Sequence, residues 1–312
     1  MESSLEQLKK HSTVVADSGD LEMIKKFCPR DATTNPSLIL KAAQQEQYKF
    51  IIDKALRQYE NRPMRERMNA IVAGFGLEIL KIIGGRVSSE IDARLSFDAA
   101  AMVDSARNII SMYEHGGVDR ERVLVKIAAT WEGVLAAKVL EQEGIHCNLT
   151  LIFSLEQALI CGQANVTLIS PFVGRILDWH TKNNPSANLF SNDPGVNSVK
   201  TIHGCYKARG YKTEIMGASF RNVGEIVSLA GCDLLTIGPK FLEELQLATF
   251  KVERQIENDA TLPEKIPDSL SEKEFRFSLN ENQMATEKLS EGIRLFVKDT
   301  TSLEDLLSQR SV

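Results

Sequence analysis

The chain of 312 residues lacks the motifs by which a sequence usually declares a cofactor or a metal. There is no GxGxxG after an apolar run, no GxxxxGK[ST] and no HExxH, so nothing supports a dinucleotide, a nucleotide or a catalytic zinc. Its five histidines, His11, His115, His146, His180 and His203, show no ligand-like pairing. The five cysteines, Cys28, Cys147, Cys161, Cys205 and Cys232, are odd in number and form no CxxC. Neither a disulfide framework nor a zinc ribbon fits that pattern, and a reducing compartment does. No apolar run approaches the length of a membrane span, and the opening MESSLEQLKKHSTVV has no hydrophobic core of a leader peptide. The net charge of −5 comes with no cluster of Lys and Arg, which argues against a nucleic-acid or anionic-membrane partner. A metal-free, cofactor-free cytoplasmic chain is expected.

What is present is alternation. Short apolar, β-branched runs predict strands at Thr13–Ala16, Asp31–Thr34, Arg86–Asp92, Val123–Ala128, Cys147–Phe153, Val166–Ser170, Glu214–Ala218 and Leu234–Gly238. Helical stretches lie between them, with readable starts. Asn35-Pro36 and Asp193-Pro194 each pair a cap with proline at the first helical position. Ser154 with Gln157 reads as a capping box, and Asn222 with Glu225 as a looser one. Strands apolar along their length and separated by helices imply a covered parallel sheet. The expected class is α/β, a single (β/α)₈ TIM barrel over residues 1–312 with additional C-terminal helices. Periodicity alone also allows an open doubly wound sheet, but eight units with polar residues at many strand ends favour closure. Gln255–Glu274 reads as a surface excursion before a helix near Met284–Phe296, and Thr181–Pro194 as a long loop. The two glycosylation sequons, at Asn148 and Asn165, fall in or against predicted buried strands and read as chance matches.

Lys126 stands out, in the apolar run Val123-Leu124-Val125-Lys126-Ile127-Ala128. Alternation puts Val123, Val125 and Ile127 toward the helices and Leu124, Lys126 and Ala128 into the barrel. Burial disfavours the charged form of an amine, and a neutral amine can attack a ketone to give a Schiff base. The plainer reading is a lysine that reaches solvent by its stem. Asp17 and Glu90 sit at or near strand ends, where a barrel brings distant residues to one mouth. Two carboxylates could divide the proton transfers of amine chemistry on a sugar; singly, Asp17 is more often a cap or turn residue and Glu90 an ion-pair partner. Asn148 and Thr150, two apart, share one strand face and could bind a polyol or simply satisfy each other's neighbours in a core. Asn35 is either a site residue or the cap already described. Ser170-Pro171-Phe172-Val173-Gly174-Arg175 and Gly217-Ala218-Ser219-Phe220-Arg221-Asn222 follow late strands, and a small hydroxyl, a helix start and an arginine suit a phosphate.

With these residues assembled, the chain resembles the transaldolase family. The likeness is carried by VVADSGD, DATTNPSLIL, GRVSSEIDARLSFD, VLVKIAATWEG, GIHCNLTLIFS, LISPFVGRILDW, MGASFRN, LAGCDLLTI and NQMATEKLSEGIR, in family order. The resemblance implies a Schiff base on Lys126, with Asp17 as general acid/base and Glu90 acting with Thr150 through a water. It implies that Asn35 and Asn148 hold a dihydroxyacetone unit, with Ser170 near its terminal hydroxyl and Phe172 near the water. Arg175, Ser219 and Arg221 would bind the substrate phosphate. The reaction implied moves three carbons from sedoheptulose 7-phosphate to glyceraldehyde 3-phosphate, in a homodimer. The stretch Asn61–Gly76 departs from the family pattern, Ala129 stands where serine is frequent, and Phe277 where tryptophan is.

Overall fold

A computed structural model describes residues 2–184, 192–257, 267 and 269–310. Eight strands close into a barrel in sequence order: β1 Thr13–Asp17, β2 Asp31–Thr33, β3 Val87–Glu90, β4 Val123–Ala128, β5 Cys147–Ile152, β6 Leu168–Pro171, β7 Glu214–Gly217 and β8 Leu234–Ile237. Every pairing is parallel, and β8 returns to β1. The closed ring settles barrel against open sheet, and helices cover its outer face.

The sequence-level starts hold. Asn35 caps Pro36–Ala43 by accepting from the Leu38 N–H, and Asp193 caps Pro194–Arg209 through the Gly195 and Val196 N–H groups. Ser154 and Gln157 form the reciprocal capping box, and Asn222 accepts from the Glu225 N–H. The departing stretch 61–76 is mostly the 17-residue helix Met64–Leu80, which packs on the helices either side of it.

The loops and the C-terminus differ from expectation. The surface excursion contains a helix, Glu272–Glu281, opened by a capping box of Ser271 with Glu274. Only Phe275 of that helix is buried, so its apolar periodicity is too thin to see. The C-terminal helix runs Gln283–Arg310, far past the expected Phe296. The expected loop Thr181–Pro194 begins with the last turn of Gly174–Asn183; its residues 185–191 lie outside the described ones, as do 258–266 and 268 of the excursion.

Alternation sorts β4 as expected. Val123, Val125 and Ile127 join the large core beneath the helices. Leu124 joins Val15, Leu168, Met216 and Leu234 in a separate apolar cluster that fills the inside of the ring. Two residues further along, the same face carries Lys126. The C-terminal helix crosses the strand ends above it, burying Ala285, Leu289, Ile293 and Phe296 against Ala128, Leu151, Phe153 and Phe172.

Candidate active site

Neighbouring strands set the positions. In register, Glu90 of β3 stands beside Lys126 of β4, and Lys126 beside Asn148 of β5. Lys126 is 5% exposed, so it is no snorkelling surface residue. Its Nζ lies 3.1 Å from Glu90 Oε2 and donates to the Thr34 carbonyl at 3.3 Å. The Thr33 hydroxyl donates to Asp17 Oδ1 at 2.9 Å, and lies 2.7 Å from the Thr236 hydroxyl. Thr33 and Thr236 are site-wall residues that the sequence reading missed; threonine in a short strand carries no distinctive signal.

Lys126, Asp17, Thr150, Asn35, Ser170, Phe172, Arg175, Ser219 and Arg221 all line one cavity of about 180 Å³ at the C-terminal ends of the strands. Residues from six strands or the turns after them thus meet at one mouth, where barrel enzymes place their chemistry. Glu90 and Asn148 do not line this space; Glu90 faces a smaller neighbouring cavity that it shares with Thr34 and Asn35. Asn148 is fully buried; its amide donates to Ser88 Oγ at 3.1 Å, and its oxygen accepts from Ser170 Oγ at 2.6 Å. It therefore anchors Ser170 directly. Thr150 Oγ1 is buried and makes no hydrogen bond, which leaves a donor and acceptor facing the site.

Leu151, the next residue, has φ of 58°, and the β5–β6 register shifts between Leu149 and Ile152. A non-glycine residue held in the left-handed region is an uncommon conformation that marks local constraint.

Enclosure governs the acids. Burial pushes the Asp17 carboxyl above its ordinary value, against the charge of Lys126, the Thr33 hydrogen bond and Arg175. Burial likewise raises Glu90, against the charge and hydrogen bond of Lys126. Both carboxyls thus hold protons to higher pH than free ones, the direction in which an acid that exchanges protons with substrate is tuned.

The two arginines are held in different ways. The Arg175 guanidinium stacks 5.0 Å from the Phe172 ring centre and 5.7 Å from that of Phe296, and its Nη1 is buried without a hydrogen bond. Burial, and then the charge of Arg221, pull its pKa down. Arg221 is gripped by Asp178, with Nη2 donating at 2.6 Å. The expected helix start after Ser219 contributes less than anticipated. That helix, Val223–Val227, is five residues long, and the Arg221 N–H is already taken by Glu225 Oε2 at 2.6 Å. Burial pushes Glu225 up to about 7. At the other segment, the Val173 and Gly174 N–H groups donate to the Ala218 and Ser219 carbonyls at 2.8 and 2.9 Å. With those three backbone N–H groups taken, the Ser219 hydroxyl and the two guanidiniums are the side-chain donors that this end of the cavity offers an anion.

Phe296 and Asp178 are the other contributors the sequence reading left out. Phe296 lies on the C-terminal helix, 121 residues beyond Arg175, and only packing reveals the meeting. No group of His, Cys, Asp and Glu able to hold a metal is found among the described residues, nor is any helix long and apolar enough to cross a membrane.

The family model described as Transaldolase/Fructose-6-phosphate aldolase matches residues 14–307. A protein named Transaldolase from Prochlorococcus marinus (strain MIT 9312) is 54% identical over 320 residues, covering 99% of this chain and 96% of the relative. Another of that name from Methylibium petroleiphilum is 53% identical over 313 residues, covering 98% and 99%.

Proposed function

Since the chain belongs to the transaldolase/fructose-6-phosphate aldolase family, we propose that its transaldolase function runs through a Schiff base on Lys126. The observation that carries this is the buried Lys126, 3.1 Å from Glu90, on the wall of a cavity that also holds Asp17 and two arginines. The Lys126 amine adds to the ketone carbon of a donor such as sedoheptulose 7-phosphate. Glu90 and Thr150, with a water between them, move the protons as the carbinolamine loses water to become the imine. Asp17 then takes the proton of the C4 hydroxyl. The C3–C4 bond breaks, the aldehyde erythrose 4-phosphate leaves, and the electron pair is held as an enamine conjugated to Lys126.

Glyceraldehyde 3-phosphate enters next, the enamine carbon attacks its carbonyl, and Asp17 returns the proton to the new hydroxyl. Hydrolysis of the imine releases fructose 6-phosphate and regenerates the amine. Asn35 and Ser170 are assigned to the three-carbon unit, Asn148 acting on it through the Ser170 hydroxyl that it anchors, and Arg175, Ser219 and Arg221 to the phosphate. Transfer outruns hydrolysis only if water is scarce around the enamine. The apolar side of the cavity, where Phe153 and Phe172 pack edge to face with centroids 5.4 Å apart, supports that condition. We assign the chain to the cytoplasm as a homodimer, by likeness to its family.

Borohydride reduction in the presence of fructose 6-phosphate, followed by peptide mapping, tests the central step. A stable adduct on Lys126 is expected, and an adduct on any other lysine would overturn the assignment. The family also includes aldolases, and turnover of fructose 6-phosphate distinguishes the two activities. A transferase needs erythrose 4-phosphate as acceptor, whereas an aldolase releases free dihydroxyacetone without it.

A further inference from the structure

We infer that Asp178 is a positioning residue that sets how tightly the Arg175–Arg221 cradle grips a phosphate. This deepens the phosphate assignment above and rests on it. Asp178 lies three residues after Arg175 on the helix Gly174–Asn183, and so on a neighbouring position of the same face. Its carboxylate occupies one whole edge of the Arg221 guanidinium. Nε donates to Oδ1 at 3.1 Å and to Oδ2 at 3.0 Å, and Nη2 donates to Oδ2 at 2.6 Å. Nη1 remains, 3.4 Å from the hydroxyl and the carbonyl oxygen of Ser219 and from the Phe220 carbonyl oxygen. Since the Arg221 backbone N–H is fixed on Glu225, the residue is held at both ends, with Nη1 directed toward Ser219 and the Phe220 carbonyl.

Arg175 has no such partner. Aromatic rings hold its guanidinium, and no acid hydrogen-bonds it among the described residues. The cradle therefore pairs one cation with no carboxylate hydrogen-bonded to it, feeling Glu291, Glu90 and Asp17 only through space, with one whose charge is largely offset by a carboxylate in direct contact. An enzyme that must bind and release several phosphorylated sugars in each cycle benefits from that division. Two uncompensated guanidiniums would retain a dianion, while a neutral wall would not orient it.

Asp178→Asn keeps the shape and one acceptor but removes the charge. Inorganic phosphate, used as a competitive inhibitor, should then bind about two- to fivefold more tightly at low salt, the size expected for one exposed charge. KM for glyceraldehyde 3-phosphate should fall in step, without a rise in kcat, while KM for unphosphorylated glyceraldehyde stays the same. Added salt should shrink the difference. A change confined to stability, or phosphate inhibition unchanged or weaker in Asp178→Asn, overturns the inference. Arg221→Ala separates the two levels. If it loses phosphate inhibition while Asp178→Asn behaves as wild type, only the role of Asp178 fails. If Arg221→Ala leaves phosphate inhibition intact, the cradle itself has been misplaced.

Discussion

At the scale of single residues, the site is built against stability. Asp17 is the clearest case, because its carboxyl is raised by enclosure more than Lys126, Thr33 and Arg175 lower it. In the unfolded chain it gives up its proton near the ordinary carboxylate value; in the fold it keeps the proton to higher pH. Between the two values the folded protein binds more protons, so rising pH favours unfolding until the folded carboxyl has ionised as well. Asp17→Asn removes that penalty and retains an oxygen for the Thr33 hydroxyl. Its Tm should exceed that of the wild type by about 2 °C or more at about pH 8, and the two should converge at about pH 4. Turnover should be lost at both. Thermal melts across that range check the claim, and a variant less stable than wild type at the higher pH would show that Asp17 is a structural acid. Lys126 was legible from its apolar neighbours. The raised acids were legible as positions but not as energies, because the offsetting groups come from β2, β4 and the helix after β6, far away in sequence.

At the scale of elements, the short strands and helix caps were readable because their causes are local. β4 and β8 match the sequence expectation nearly residue for residue, while β3 was expected from Arg86 to Asp92 and spans Val87–Glu90. Its pairing to β4 ends at Glu90 opposite Lys126, and a 3₁₀ turn, Ala93–Leu95, follows. The C-terminal helix was underestimated because its later half is polar along most of its length, with Leu303 and Leu307 as the fully buried leucines there. What this helix does at the mouth depends on Gly292. A β-carbon there would come within 2.7 Å of a Leu151 methyl and 3.5 Å of Arg175 Nη1. The glycine thus permits close approach of the helix to β5 and to the arginine. Gly292→Val should push the helix outward, loosen Phe296 from Arg175 and weaken phosphate-bearing substrates. KM for glyceraldehyde 3-phosphate is expected to rise about tenfold, in line with the loss of roughly 1.4 kcal/mol of binding. Unchanged KM in a folded Gly292→Val protein would mean that the helix is not what holds Arg175 in place.

At the scale of the whole molecule, the barrel divides its labour between two ends. Catalytic candidates crowd the C-terminal ends of the strands, whereas carboxylates at the N-terminal ends gather strand-start N–H groups that the ladder does not satisfy. Asp31 accepts from the Arg86 N–H at 2.9 Å, and Asp233 from the Ile215 N–H at 3.0 Å. Glu141 does most. One oxygen accepts from the Cys147 and Thr167 N–H groups at 2.9 and 2.7 Å, and the other from the Thr167 hydroxyl at 2.8 Å, beside His146 Nδ1 at 3.1 Å. It joins the starts of β5 and β6 to the helix Trp131–Gln142, as a fastening remote from the cavity. Replacing it with alanine strands two backbone donors that lie in partly buried surroundings, a loss of about 2 kcal/mol or more. Glu141→Ala should therefore melt several degrees below wild type while keeping its KM values and its borohydride-trappable Lys126. The two ends then respond in opposite senses, since Asp17→Asn gains stability and loses turnover. A Glu141→Ala protein that melts normally, or one that stays folded yet fails to form the adduct, would break the proposed separation between the end that holds the ring together and the end that performs the reaction.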